Sequence, residues 1–292
     1  MKLVIQHSTI YRYDVPVNYS IQYLRLTPKP DACQNILRWR VETPGQAREM
    51  TDAYGNIMHV LVVDEPHQEI AIRVIGEAET FETAGVVSGE NDPLPVGVFL
   101  RSTHLTTADD NLRDLVAPLA PAIAKDRVEG LLALSACIAK AVAYRQGETH
   151  AESTAAQALA LGSGVCQDQA HVFLAAARAL GVPARYVSGY IHVANGNEDA
   201  SHAWAEAWVD SLGWVGFDVA NQIFPTESHL RLAVGLDYLA CAPVRGIRRG
   251  GGDEDMAVSV SVSHGRHPHA FASQPPHGAP SQNYTASQTQ QQ

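Results

Sequence analysis

The segment Gly164–His171, GVCQDQAH, brings a thiol, a carboxylate and an imidazole within six positions. Cys166 could be a small buried apolar side chain, a metal ligand, or a nucleophile served by a base. The other cysteines, Cys33, Cys137 and Cys241, are dispersed and form no C-x-x-C pair, so neither a disulfide framework nor a zinc ribbon is expected. Cys137 lies among apolar residues at helical spacing and reads as core. Around Cys166, Gly162-Ser163-Gly164 ends a loop and residues 166–180 read as a helix. Ala170, Phe173, Leu174, Ala177 and Leu180 share one face, and Gly181 and Pro183 supply the stop. Cys166 then sits in the first turn, where unpaired N–H groups and the helix dipole favour an anion, and the thiolate is the nucleophilic form. Gly164 leaves room for a substrate backbone. Placement alone leaves a reactive and a structural cysteine both open.

A thiolate doing acyl transfer needs a proton shuttle and a group to orient that shuttle. His171 is five residues on and points away from the first turn, so it reads as a packing residue. His202 is the better base. In SHAWAEAWV, Ser201, Ala203, Ala205 and Ala207 form a small face suited to a helix, while His202, Trp204, Glu206 and Trp208 form the other. Trp204 can shield the imidazole. Asp218 lies in the following strand. If 209 opposes 214, Asp218 faces away from His202; a slip of one residue, from a three-residue loop or a bulge, sets it opposite Trp204 and diagonal to His202. That slip is predicted. Among competing carboxylates, Asp168 reads as a helix-start residue and Asp210 as a turn residue, while Glu206 stands two pairs along the strand.

The chain around these residues divides by texture. Residues 1–85 carry short alternating β-rich runs without helices and predict an antiparallel sandwich. Residues 86–100 read as a linker, 101–262 as a core of helices followed by strands ending at MAVSVSV, and 263–292 as a disordered tail. The tail histidines His264, His267, His269 and His277 have no fixed geometry for a metal. A formal net charge of -10 offers nothing to nucleic acid or an anionic membrane. No apolar run approaches the roughly 20 residues of a membrane span. With no export signal visible, a reducing cytoplasmic location is expected.

GSGVCQDQAHVFLAAARALGVPARYVSGY followed by SHAWAEAWVDSLGWVGFDVAN resembles the bacterial transglutaminase-like superfamily. HSTIYRYDVPVNYSIQYLRLTP with DAYGN resembles the β region that precedes the core in its bacterial members. The resemblance implies an α+β protein with a papain-like core, with Cys166 as nucleophile, His202 as general base then acid, and Asp218 as orienter. Tyr144, Asp237 and Tyr238 match family positions near the cleft. Relatives often read Asp-Pro-Thr where this chain has Asp218-Val219-Ala220, and Gly-Arg-Asp-Tyr where it has Gly235-Leu236-Asp237-Tyr238.

The implied chemistry is amide acyl transfer through a thioester, ending in peptide or isopeptide hydrolysis or in transglutaminase-type transamidation. The partners are a protein or peptide bearing a glutamine-like or peptide amide, and for transfer an amine acceptor. The alternative is a non-catalytic binding or scaffold module, which loss of a triad residue would signal; all three residues are present. Cys166, His171 and His202 supply zinc-ligand types without zinc-motif spacing. No metal or cofactor is expected.

Overall fold

A computed structural model describes residues 1–87, 92–193, 201–265 and 282–283. In chain order the strands and helices are β1 (Lys2–Thr27), β2 (Gln34–Glu42), β3 (Ala47–Thr51), β4 (Ile57–Val63), β5 (His67–Thr80), β6 (Val86–Val87), α1 (Asp110–Val116), α2 (Ala120–Lys125), α3 (Arg127–Ala141), β7 (Ala143–Tyr144), α4 (Ala155–Leu161), β8 (Ser163–Gly164), α5 (Cys166–Ala179), β9 (Ala184–Ile191), β10 (Ser201–Val209), β11 (Gly213–Phe217), β12 (His229–Gly235), α6 (Tyr238–Cys241), β13 (Val244–Gly250) and β14 (Glu254–His264). The architecture is α+β.

β1 organises the N-terminal sheet. Its odd residues from Leu3 to Tyr13 are buried, and then its even residues from Ser20 to Leu26. The side-chain period of a strand is two, so a parity change requires a break in register. That break spans Arg12–Tyr19, where pairing with β5 and with β13 shifts. One half of β1 lies between β14 and β5, the other between β13 and β4. β2 extends the first layer and β3 the second. Between the layers Tyr11, Val17, Leu24, Leu61, Ile70 and Ile72 form a core.

Two expectations change here. Residues 244–264, of which the sequence assigns 244–262 to the core and 263–264 to the tail, pair with β1 instead; their alternation suits a half-buried strand, but its partner lies near the other end of the chain. The linker is also partly structural. Val87 pairs with Trp214, and Phe99 is buried edge-on against the Trp214 ring at 5.0 Å. Residues 88–91 and nearly all of the expected tail lie outside the described residues.

The second sheet has the antiparallel order β12–β9–β10–β11–β6. As its small face predicts, β10 presents Ala203, Ala205 and Ala207 to the cluster that holds Phe173, Leu174 and Ala177 of α5. α5 is buried further round than its one apolar face predicts, continuously from Asp168 to Arg178. It runs between the sheet and helices α1, α3 and α4. Arg178 tolerates burial because its guanidinium donates to the carbonyls of Phe99, Ala184 and Leu236 and to Thr106 Oγ1 at 2.7–3.2 Å. Cys137 is only half-buried on α3, beside the buried Leu134 and Ile138.

The sheets meet through Leu3, Ile5, Ala78 and Val260 on one side and Tyr190, Leu230 and Leu232 on the other. β12 is an edge strand of the core sheet, and an open edge leaves backbone groups unpaired. Two side-chain amides from the N-terminal region close it. Gln34 bonds both the N–H and the carbonyl of Arg231, at 2.8 Å each. Asn56 does the same for Val234, at 2.9 and 2.8 Å.

His7, at this junction, bonds the Tyr190 hydroxyl at 2.7 Å and Thr9 Oγ1 at 2.9 Å. Burial lowers its pKa from 6.5 to about 4, and burial does the same to His171 in α5. The unfolded chain protonates these rings near pH 6.5, whereas the folded protein resists until about pH 4. Their stabilisation is therefore complete above pH 6.5 and lost as pH falls through that window, on the order of 3 kcal/mol each at about 1.4 kcal/mol per pH unit. The midpoint of urea unfolding should drop markedly between pH 7 and pH 5. An unchanged midpoint would mean that water reaches both rings.

Candidate active site

The hairpin carrying His202 and Asp218 has the predicted slip. Val209 pairs with Gly213, and the ladder continues to Ala205 opposite Phe217, which projects Asp218 opposite Trp204. The loop is three residues long, 210–212, and the left-handed conformation falls on the residue that follows it, Gly213, with φ 87°. Leu212 N–H closes the turn on the Val209 carbonyl at 2.9 Å. His202 Nε2 then lies 2.8 Å from Asp218 Oδ2.

The other side of the imidazole faces the thiol. Cys166 is the first residue of α5, behind the cap residue Val165, and is half-buried against the helical core. Its thiol is among the groups that raise the pKa of His202. With Nε2 turned to Asp218, Nδ1 is the ring atom available to sulfur. Burial pulls the His202 pKa down, but the hydrogen bond that its ring N–H donates to the Asp218 carboxylate, and the interactions with the Cys166 thiol and the charge on Asp218, outweigh it and raise the pKa to about 10. Burial likewise opposes the charge on Asp218, yet bonds from His202, His229 and Asn221 hold its carboxyl well below the usual carboxylate range. The chain thus bonds His202 to Asp218 and sets the Cys166 thiol where it acts on the same imidazole.

The other sequence candidates fall around this row in different roles. Trp204 is buried, its ring centroid 6.1 Å from that of His202. Space for that ring comes from Gly189 on β9, where a Cβ would come within 2.6 Å of it. Tyr144 is exposed on β7, paired with Gly164 on β8. The space that Gly164 leaves goes to Asp168, whose carboxylate would lie 2.6 Å from a Cβ there, and not to a substrate backbone. Asp168 caps α5 as expected, accepting from the Val165 N–H at 2.8 Å and from Thr149 at 2.6 Å. Asp237 caps α6 by accepting from Ala240 at 3.0 Å, and Tyr238 donates its backbone N–H to His171 Nε2 at 3.1 Å. His171 is thus a structural acceptor. Asp210 stays in its turn, bonded to the Trp208 indole at 3.0 Å. Glu206 pairs with Arg185 and Arg231 rather than with His202.

Sequence reasoning missed two residues. Asn221 donates its side-chain amide to Asp218 Oδ2 at 2.7 Å and its backbone N–H to Oδ1 at 3.2 Å. His229, at the start of β12, lies 3.0 Å from the same Oδ2. A histidine opening the strand HLRLAVG carries no local signal of this. Parity could have found it: His202 pairs with Gly189, and Gly189 pairs with Arg231, two residues from His229 on the same face.

Ligand atoms of His202, Asp218 and His229 fall within 4.8 Å of one another. However, His229 Nδ1 accepts the Thr226 N–H at 3.1 Å, so its proton is on Nε2 and no lone pair points at Asp218. As arranged, the three form a donor–acceptor cluster around one carboxylate oxygen rather than a metal cage.

Comparison with known proteins agrees with this architecture. Residues 117–219 match the transglutaminase-like superfamily, and residues 3–79 match the bacterial transglutaminase-like N-terminal region. An uncharacterized protein of Mycobacterium leprae is 32% identical over 276 residues, covering 90% of this chain and 98% of that protein. A protein-glutamine gamma-glutamyltransferase of Pseudomonas aeruginosa is 35% identical over 98 residues, covering 30% of this chain but 15% of that protein. The solved structure of a candidate cysteine protease from Cytophaga hutchinsonii shares the fold, with TM-score 0.69, 21% identity, and 91% and 92% of the two chains covered. The chain belongs to the transglutaminase-like superfamily, with the bacterial transglutaminase-like N-terminal region ahead of its core.

Proposed function

We propose that the protein is a cysteine-dependent amide acyltransferase that uses water as its usual acceptor, a hydrolase of peptide, isopeptide or glutamine side-chain amides. The observation that carries this reading is one imidazole shared between the thiol at the start of a helix and a buried carboxylate 2.8 Å away. Raised to a pKa of about 10, His202 is an imidazolium at neutral pH and stands ready to pair with the nucleophilic thiolate as it forms. The thiolate attacks the amide carbonyl carbon, and the C=O electron pair moves to oxygen. The Cys166 N–H, in the first turn where helix N–H groups lack intrahelical partners, supports that oxyanion. Collapse breaks the C–N bond, and the leaving nitrogen takes the proton of His202. Neutral His202 then takes a proton from water, hydroxide attacks the thioester, and release of the acid restores thiolate and imidazolium. Asp218 holds the ring in place through both halves.

The glutamine side chain enters as a substrate because the Pseudomonas relative is named for it. Water and a primary amine compete for one thioester, so partition is the test. With a set of glutamine-containing peptides, ammonia release should proceed without added amine. A labelled primary amine should be incorporated only at millimolar concentration. Mass spectrometry should find an acyl adduct on Cys166. Turnover by a Cys166→Ala protein would overturn Cys166 as the nucleophile, and the absence of both turnover and adduct would overturn the reading in favour of a binding module.

A further inference from the structure

We infer that His229 is a positioning residue of this site, whose Nε2–H shares Asp218 Oδ2 with His202 and so limits how tightly the carboxylate holds the His202 proton. The inference rests on Cys166 and His202 forming the reactive pair proposed above.

The protonation state of His229 follows from geometry. A ring nitrogen that accepts a hydrogen bond carries no proton, and Nδ1 accepts from the Thr226 N–H at 3.1 Å. The proton is therefore on Nε2, which at 3.0 Å from Asp218 Oδ2 can only donate. The ring is held from three sides. His229 N–H bonds the Thr226 carbonyl at 2.9 Å, Pro225 just before this turn packs against Gly216 of β11, and the Trp204 ring meets His229 edge-on at 5.4 Å. The side chain is 2% exposed.

Asp218 Oδ2 thus receives three donors, His202 at 2.8 Å, Asn221 at 2.7 Å and His229 at 3.0 Å. The groups around the His202 imidazole are Cys166 from α5, Asp218 after β11, Asn221 in the following loop and His229 from β12. Only His202 gives and takes a proton in the proposed cycle. Each fixed neutral donor draws charge from the carboxylate and makes it a weaker partner for the imidazolium. A carboxylate held by His202 alone would keep that proton more tightly and pass it less readily to a leaving amine. His229 also fixes the carboxylate rotamer, as outer partners do for metal-ligating histidines.

Two variants separate electrostatics from packing. His229→Phe fills the space without a donor, and His229→Gln keeps an N–H at similar reach. The readout is the pH profile of Cys166 alkylation by iodoacetamide, followed by mass spectrometry, which needs no amide substrate. The rate step that marks loss of the His202 proton should move up by about 0.5–1 pH unit in His229→Phe. In His229→Gln it should stay within about 0.2 unit of the parent. Turnover of the glutamine peptides should fall roughly tenfold in His229→Phe and recover in His229→Gln. An unmoved step in a folded His229→Phe protein would reduce His229 to a packing role. If His202→Ala leaves Cys166 alkylation unchanged, the reactive-pair reading fails first. Independently of reactivity and variant folding, nitrogen-15 NMR of the parent protein must show His229 as the Nε2–H tautomer. An Nδ1–H tautomer or an imidazolium overturns the inference.

Discussion

Replacing Cys166 by alanine is expected to abolish amide turnover, by on the order of 10⁴-fold or more, while leaving the fold intact. Only a half-buried sulfur is lost, from a helix otherwise packed along its length. His202→Ala should cost nearly as much, because members of a proton-transfer unit act together and their losses do not add. Asp218→Asn should lose about 10³–10⁴-fold by a different route. An amide oxygen at the Oδ2 position can still accept from His229 and Asn221, but it brings no charge to the imidazolium, and the raised pKa of His202 collapses toward its ordinary value. In the parent protein iodoacetamide should label Cys166 well below pH 8. Cys33 and Cys241 should resist, since burial raises the Cys33 thiol to about 11 and lifts the Cys241 thiol well above its ordinary value. Equal labelling of the four cysteines, appearing only in alkali, would contradict the ion pair.

The largest loss of stability is expected from Glu206→Ala. Glu206 Oε2 lies 2.6 Å from Arg185 Nε, and Oε1 lies 2.9 Å from Arg231 Nε. Arg185 reaches on to Asp92 at 2.7 Å and stacks over Trp214, 4.1 Å from the ring centroid, while Arg231 reaches Asp31 at 3.0 Å. Side chains of Arg185 and Glu206 are each 1% exposed. Removing Glu206 strands two guanidiniums whose remaining carboxylates sit at the rim, and breaking such a buried pair costs about 3–5 kcal/mol. Against a total of roughly 5–15 kcal/mol, this should lower the melting temperature by about 10 °C. Urea unfolding provides the measurement. A loss under about 1 kcal/mol would mean that water already screens the cluster.

The same residue illustrates what local patterns can and cannot tell. Alternation in SHAWAEAWV correctly placed His202, Trp204 and Glu206 on one face, and the chemistry of a triad demanded the hairpin slip that Gly213 makes possible. Those inferences needed only neighbours in sequence. What Glu206 does on that face depends on Arg185, Arg231 and Asp92, which arrive from other strands and from the segment before α1. His229 was hidden for the same reason, since it reaches Asp218 across β9. Gly164 misled because an empty Cβ position looks the same whether substrate or the chain's own Asp168 fills it.

β1 also has a consequence for synthesis. Its partners β4 and β5 follow at once, but β13 and β14, which cover its opposite edge from Leu3 to Leu24, come only after the core. About 170 residues separate Thr80 from Glu254, so at roughly 5–20 residues per second a nascent chain carries that edge uncovered for about ten to thirty-five seconds. Throughout that interval the ribosome exposes a long template for strand addition, and the whole core must emerge before β13 and β14 can close it. The N-terminal sheet is begun before the core is made and closed only after it.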